Sequence, residues 1–80
     1  MKKTLNQLNT GESALIKEIN GGRAARHRLG RMGLHPSDRI RVVRNGFLGG
    51  TLLIKVHGVE VGIGRGMAEL IEVEDGESAS

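Results

Sequence analysis

Three histidines, eight arginines and a few hydroxyls are the side chains with which this 80-residue sequence could do chemistry. His27, His35 and His57 are imidazoles able to ligate a metal or move a proton,. The sequence has no cysteine, and the histidine spacing resembles no zinc motif,. Their bland reading is exposed, unliganded rings; the alternative is a site assembled in space with Glu60 or another carboxylate. Ser13, Ser37 and Thr51 carry hydroxyls, but none stands at a telling separation from a histidine, so no nucleophile and base are paired,. "GIGRG", Gly62 to Gly66, has the glycines of a phosphate loop without its lysine and hydroxyl, and no G-x-G-x-x-G is completed,. These glycines read better as a tight corner in a small barrel. The chain is therefore expected not to be an enzyme, and to use no certain cofactor.

The arginines are more informative. Between residues 20 and 45, Arg23, Arg26, Arg28, Arg31, Arg39, Arg41 and Arg44 stand against Asp38 alone, a local charge of +6. Between Glu69 and Glu77 the sign reverses, with five carboxylates and no cation. Either the two regions neutralise each other in the fold, or a basic face is left for a partner. Phosphate binding would be electrostatic and sensitive to salt. Single-stranded nucleic acid also asks for aromatic stacking platforms, and Phe47 is the sole aromatic residue,. A nucleic-acid-binding barrel is thus the second reading, behind docking on a protein, and a transition-metal-binding sensor domain using the histidines is the third. "NGFLGG", Asn45 to Gly50, sets Phe47 and Leu48 between glycines, where an apolar pair either plugs a barrel or is displayed to a partner,.

The elements that must position these residues are short. "SALIKEI", Ser13 to Ile19, reads as a strand after a turn at Thr10-Gly11-Glu12,. From Arg23 to Met32, Ala25, Leu29 and Met32 fall on one helical stripe with arginines on the other faces,. Gly33 predicts a left-handed residue at the helix end, Leu34 an apolar contact folded back, and Pro36 a stop. Gly30 inside the helix implies close packing or a frayed last turn. "RIRVVRN", Arg39 to Asn45, alternates Arg39, Arg41 and Val43 against Ile40, Val42 and Arg44,. "TLLIKVHG" and "VEVGI" continue as strands, with Leu52, Ile54 and Val56 on one face and His57-Gly58 as a hairpin turn,. "MAEL" supplies one helical turn and "IEV" a last strand. The expectation is a single mostly β domain, a small closed barrel over residues 1–74, with an acidic disordered tail at 75–80. No apolar run of seven or more follows Lys2 and Lys3, and none approaches the roughly 20 residues that span a bilayer. A cytoplasmic setting without direct membrane insertion is expected, so that any link to a membrane passes through a partner.

Three stretches resemble a known family: "LNTGESALIKEINGG", "RHRLGRMGLHPSDRIRVVRN" and "FLGGTLLIKVHGVEVGIGRGMAELIEV". The most specific element is R-L-x-x-M-G-L-x-P, present as Arg28, Leu29, Met32, Gly33, Leu34 and Pro36, followed by L-G-G at Leu48, Gly49 and Gly50 and by Ala68 and Ile71 near the end. In these the chain is similar to the FeoA family, small cytosolic proteins of bacterial ferrous iron transport. It departs at Ser37, where the family often has glycine, at Thr51, often proline, and at Gly64, often a second arginine. The resemblance implies an SH3-like β-barrel with one helix after the first strand and a short helical turn before the last strand. It implies a non-enzymatic role beside FeoB, the membrane iron transporter with a cytosolic GTPase domain, and an association with transition metals such as iron or zinc. On that basis Arg23, Arg28, Arg31, Arg65, Phe47 and Leu48 are the expected partner-binding residues, with Leu29, Met32, Gly33, Leu34, Pro36, Gly49, Gly50 and Ala68 as the structural motif. Weak self-association through a barrel edge is left open.

Overall fold

Alternating apolar residues can bury one face of a sheet only if something covers that face, and here the sheet curls over its own side chains. The structure, a computed structural model, describes residues 3–46 and 50–75. Its elements are β1 (Lys3–Thr4), a 3-10 turn (Leu5–Gln7), β2 (Ser13–Ile19), α1 (Gly22–Arg31), β3 (Arg39–Asn45), β4 (Leu52–Val56), β5 (Val59–Ile63), α2 (Arg65–Ala68) and β6 (Ile71–Asp75). All strand pairs are antiparallel, in the order β1-β6-β2-β3-β4-β5. Extents of 32 × 29 × 27 Å show that this six-stranded ladder is strongly bent. Its inner face is one aliphatic cluster to which every strand from β2 to β6 contributes, among them Ile16, Ile40, Ile54, Ile63 and Ile71, each at most 2% exposed.

Two details differ from the expected barrel. The ladder is not closed: β1 and β5 are its ends and do not pair with each other. The helix also follows the second strand, because an N-terminal strand precedes it. Leu5 and Leu8, which the periodicity left unassigned, are 0% and 2% exposed in the core. The Gln7 side chain accepts the Thr4 backbone N–H at 2.8 Å and holds this first turn, a T-x-x-Q capping pattern visible in the sequence.

Strict alternation would turn Arg44 inward beside Ile40 and Val42. A register shift between Val42 and Arg44 inserts an extra residue, and Arg44 emerges exposed opposite Leu53. Bulges re-aim side chains in this way. At the β4–β5 hairpin His57 and Gly58 have φ of 53° and 78°, as a two-residue turn with left-handed residues at both positions requires,.

The stop after α1 is built as the spacing predicts. Gly33 has φ 88°, its N–H donates to the Gly30 carbonyl at 3.0 Å, and the Leu34 N–H donates to the Leu29 carbonyl at 3.0 Å. This paired arrangement is the Schellman motif, and its usual apolar contact is supplied by Leu29 and Leu34, both 0% exposed,. The next turn, His35 to Asp38, closes with the Asp38 N–H on the His35 carbonyl at 3.1 Å. Pro36 and Ser37 are its central residues, and Ser37 adopts φ 78°. A turn with a left-handed third residue ordinarily takes glycine there, which accounts for the glycine of the related pattern.

Candidate docking surface

α1 sets its arginines according to its buried stripe. Ala25 and Leu29 are buried, whereas Arg23, Arg26, Arg28 and Arg31 are all exposed. With its first turn lacking acidic residues and its last turn holding Arg28 and Arg31, α1 concentrates positive charge at its C-terminal end, where the helix dipole favours it,. Among the described residues no arginine forms an ion pair; the pairs present join Lys3 to Glu12, Lys17 to Glu72, and His35 and His57 to Asp38. The basic and acidic stretches of the sequence therefore do not neutralise each other there. The acidic stretch is partly structural instead, since Glu72 of β6 is 4% exposed.

Two concavities run beside α1. One, about 450 Å³, is lined by Ala24, Ala25, His27, Arg28, Arg31 and Met67. The other, about 220 Å³, lies between α1 and the end of β5 and is lined by Arg28, Leu29, Met32, Gly62, Ile63, Gly64 and Met67. Arg28 and Met67 border both, so cations and adaptable thioethers share one surface, a combination suited to gripping an acidic partner with an apolar anchor. Arg31 joins Arg28 there; Arg23 lies on the same helix but lines neither concavity. Arg65 is placed elsewhere. Gly50, with φ 81°, lies under it so closely that a Cβ on Gly50 would stand 3.2 Å from Arg65 Cβ. The short helical turn after Gly64 forms, with the Ala68 N–H on the Gly64 carbonyl at 2.9 Å and Ala68 fully buried. Phe47, Leu48 and Gly49 lie outside the described residues. Gly46 lies against Thr51: a Cβ on Gly46 would overlap the Thr51 carbonyl oxygen and approach Thr51 C and N at 2.9 and 3.0 Å.

All three histidines are exposed, and two of them meet on one carboxylate. Asp38 accepts the His35 backbone N–H at 2.8 Å, lies 3.5 Å from His35 Nδ1 through Oδ2, and is 3.1 Å from His57 Nε2 through Oδ1. The other edge of the His35 ring packs on Gly30: a Cβ there would stand 3.4 Å from His35 Nε2, which gives the helical glycine its packing reason. Asp38 thus pins the turn after α1 to the β4–β5 hairpin. Sequence spacing could not reveal this, because His57 lies 19 residues from Asp38. Next to the cluster, Arg39, Arg41 and Lys55 line a shallow concavity of about 470 Å³ with Ser13 and Ser37. Among the described residues neither ring is hydrogen-bonded to a serine hydroxyl, and no group of three His, Cys, Asp or Glu is placed to hold a metal ion. The arrangement can hold two segments together and present charge. Among the described residues no helix is long and apolar enough to cross a membrane.

Comparison with known proteins agrees with this architecture. The model of the FeoA domain matches residues 3–75. The putative Fe(2+) transport protein A of Methanocaldococcus jannaschii is 39% identical over 67 residues, which span 84% of this chain and 79% of that protein. A crystal structure of an iron uptake regulatory protein, FeoA, superposes with a TM-score of 0.84 at 34% identity, covering 92% of this chain and 96% of the other. The solution structure of iron(II) transport protein A from Clostridium thermocellum gives a TM-score of 0.86 at 28% identity over 94% of this chain and 46% of that one. A manganese-dependent transcriptional repressor, at 17% identity and a TM-score of 0.84 over 92% of this chain and 41% of its own, shares the fold alone. With an SH3-like fold, a Schellman turn built from the R-L-x-x-M-G-L-x-P residues and a family match over nearly its whole length, the chain belongs to the FeoA family.

Proposed function

We propose that this chain is a non-enzymatic accessory protein of ferrous iron uptake that works in the cytoplasm, docking on the GTPase-containing cytoplasmic region of a FeoB-type transporter and supporting or regulating it. The observation that carries this reading is the exposed pair Arg28 and Arg31, unpaired among the described residues, beside Met67 in a groove along α1. Unpaired surface arginines steer an acidic partner and set its orientation, and the neighbouring apolar contacts hold it once docked. The family match and the iron transport relative support the choice of partner. Arg23 adds to the steering field, and Phe47 and Leu48 supply further apolar contact.

The test is titration of the transporter's soluble GTPase-containing region with wild-type protein and with the Arg28→Glu/Arg31→Glu double variant. Loss of affinity by about tenfold or more, with a flatter salt dependence in the variant, is the expected result. Equal affinity and equal salt dependence in the two folded proteins would refute docking through α1.

A further inference from the structure

The two ends of the sheet are built differently. β1 is two residues long and carries Lys3, a short charged edge of the kind that discourages further pairing. β5 is five residues long, pairs among the described residues only with β4, keeps an unbroken register over its length and contains neither lysine nor proline. Val56 and Val59 flank the two-residue turn as a hydrogen-bonded pair, so alternation turns the backbone groups of Val59, Val61 and Ile63 toward β4 and those of Glu60 and Gly62 outward,. A second observation concerns the same strand. Among the described residues the exposed large hydrophobics are Val59, at 59%, and Met32, at 37%. Val59 stands at one end of β5, and Met32 borders the cleft at the other end, beside Ile63.

We propose that a second copy of this chain occupies this edge, the two β5 strands pairing antiparallel about a two-fold axis at Val61. In that register Glu60 of each copy faces Gly62 of the other, and the outward backbone groups of both residues find partners. Val59 lies opposite Ile63 of the second copy, at the cleft that Met32 and Met67 border. One symmetry operation therefore covers both exposed hydrophobics, as an isologous contact requires. Charge does not oppose this placement: Glu60, the one charged residue of β5, lies with Arg41 and Lys55 of its own sheet, and in this register it faces a glycine and not a like charge,. An edge of five residues buries less than the roughly 1,200 Å² of a standard interface, so the dimer is weak and exchanges with monomer. The inference stands independently of the transporter reading, but Arg28 belongs to both surfaces, so the dimer and a docked partner compete.

Sedimentation velocity and amide NMR on the full chain, from about 10 µM to about 1 mM, test it. The sedimentation coefficient should rise with concentration, and the amides of Glu60 and Gly62 should shift on dilution. Val59→Asp, at an exposed position, should weaken association by about tenfold or more, since each dimer covers two such valines. Glu60→Pro should do the same by removing an outward N–H while leaving the pairing with β4 intact. A chain that stays monomeric throughout, a Val59→Asp variant that associates as wild type, or dilution-sensitive amides confined to the Arg41 and Lys55 face would each overturn the proposal.

Discussion

Replacing Ser37 with glycine should make the protein more stable, although the change deletes a side chain. Ser37 sits at φ 78° in the turn that follows α1. A left-handed conformation crowds Cβ against the following carbonyl and costs an ordinary residue roughly 1–2 kcal/mol. Glycine removes that cost but loses roughly 0.5–1 kcal/mol more backbone entropy on folding. The Ser37 N–H, which donates to the Ile16 carbonyl at 2.7 Å, is retained, and the side chain is exposed and makes no hydrogen bond among the described residues. The difference favours glycine by about 0.5–1 kcal/mol, and for a domain of this size about 1 kcal/mol moves Tm by roughly 4–8 °C. Thermal unfolding by circular dichroism is the assay, with Ser37→Ala as control; alanine bears the same strain and should leave Tm within about 1 °C. A Tm for Ser37→Gly equal to or below wild type would show that the turn is not strained, and the physical account of this departure from the family pattern would fail.

Two further substitutions examine the supports of the surface. Gly46→Ala places a Cβ against the Thr51 carbonyl and should cost about 1–3 kcal/mol by overpacking; a urea midpoint equal to wild type would mean that Gly46 and Thr51 are free to move apart. Asp38→Ala removes the acceptor of the His35 N–H at 2.8 Å and the partner of His57 at 3.1 Å, and should lower stability by about 1 kcal/mol. Asp38→Asn, which keeps an acceptor oxygen, should recover most of it, and identical losses in the two variants would argue against the hydrogen bond as cause.

The residues that best identify the family are largely devices for ending a helix. Leu29 and Leu34 are buried against each other's turn, Gly33 supplies the left-handed residue, and Pro36 opens the next turn. Arg28 and Met32 are the members of that motif whose exposed side chains can meet a partner. Their neighbours in space, Met67 and Gly62, come from distant parts of the chain. A motif can therefore be specific because the backbone demands it, and still place functional side chains reproducibly.

Local rules made much of this molecule legible. The helix and its stop, the strand alternation of Leu52, Ile54 and Val56, the His57-Gly58 turn and the basic character of α1 all follow from period, positive φ and proline, which act over a few residues. The N-terminal strand was readable in principle from Thr4, Leu5, Gln7 and Leu8, but two residues of strand carry too little periodicity to declare themselves. Tertiary structure decided the rest. It left the ladder open between β1 and β5, moved Arg44 outward through a bulge, buried Glu72, and joined His35 and His57 on one carboxylate. The physical reason is range: propensity and patterning say which way a side chain points along its own element, whereas the meeting of Arg28 with Met67, or of Asp38 with His57, depends on how a curled sheet brings separate elements together.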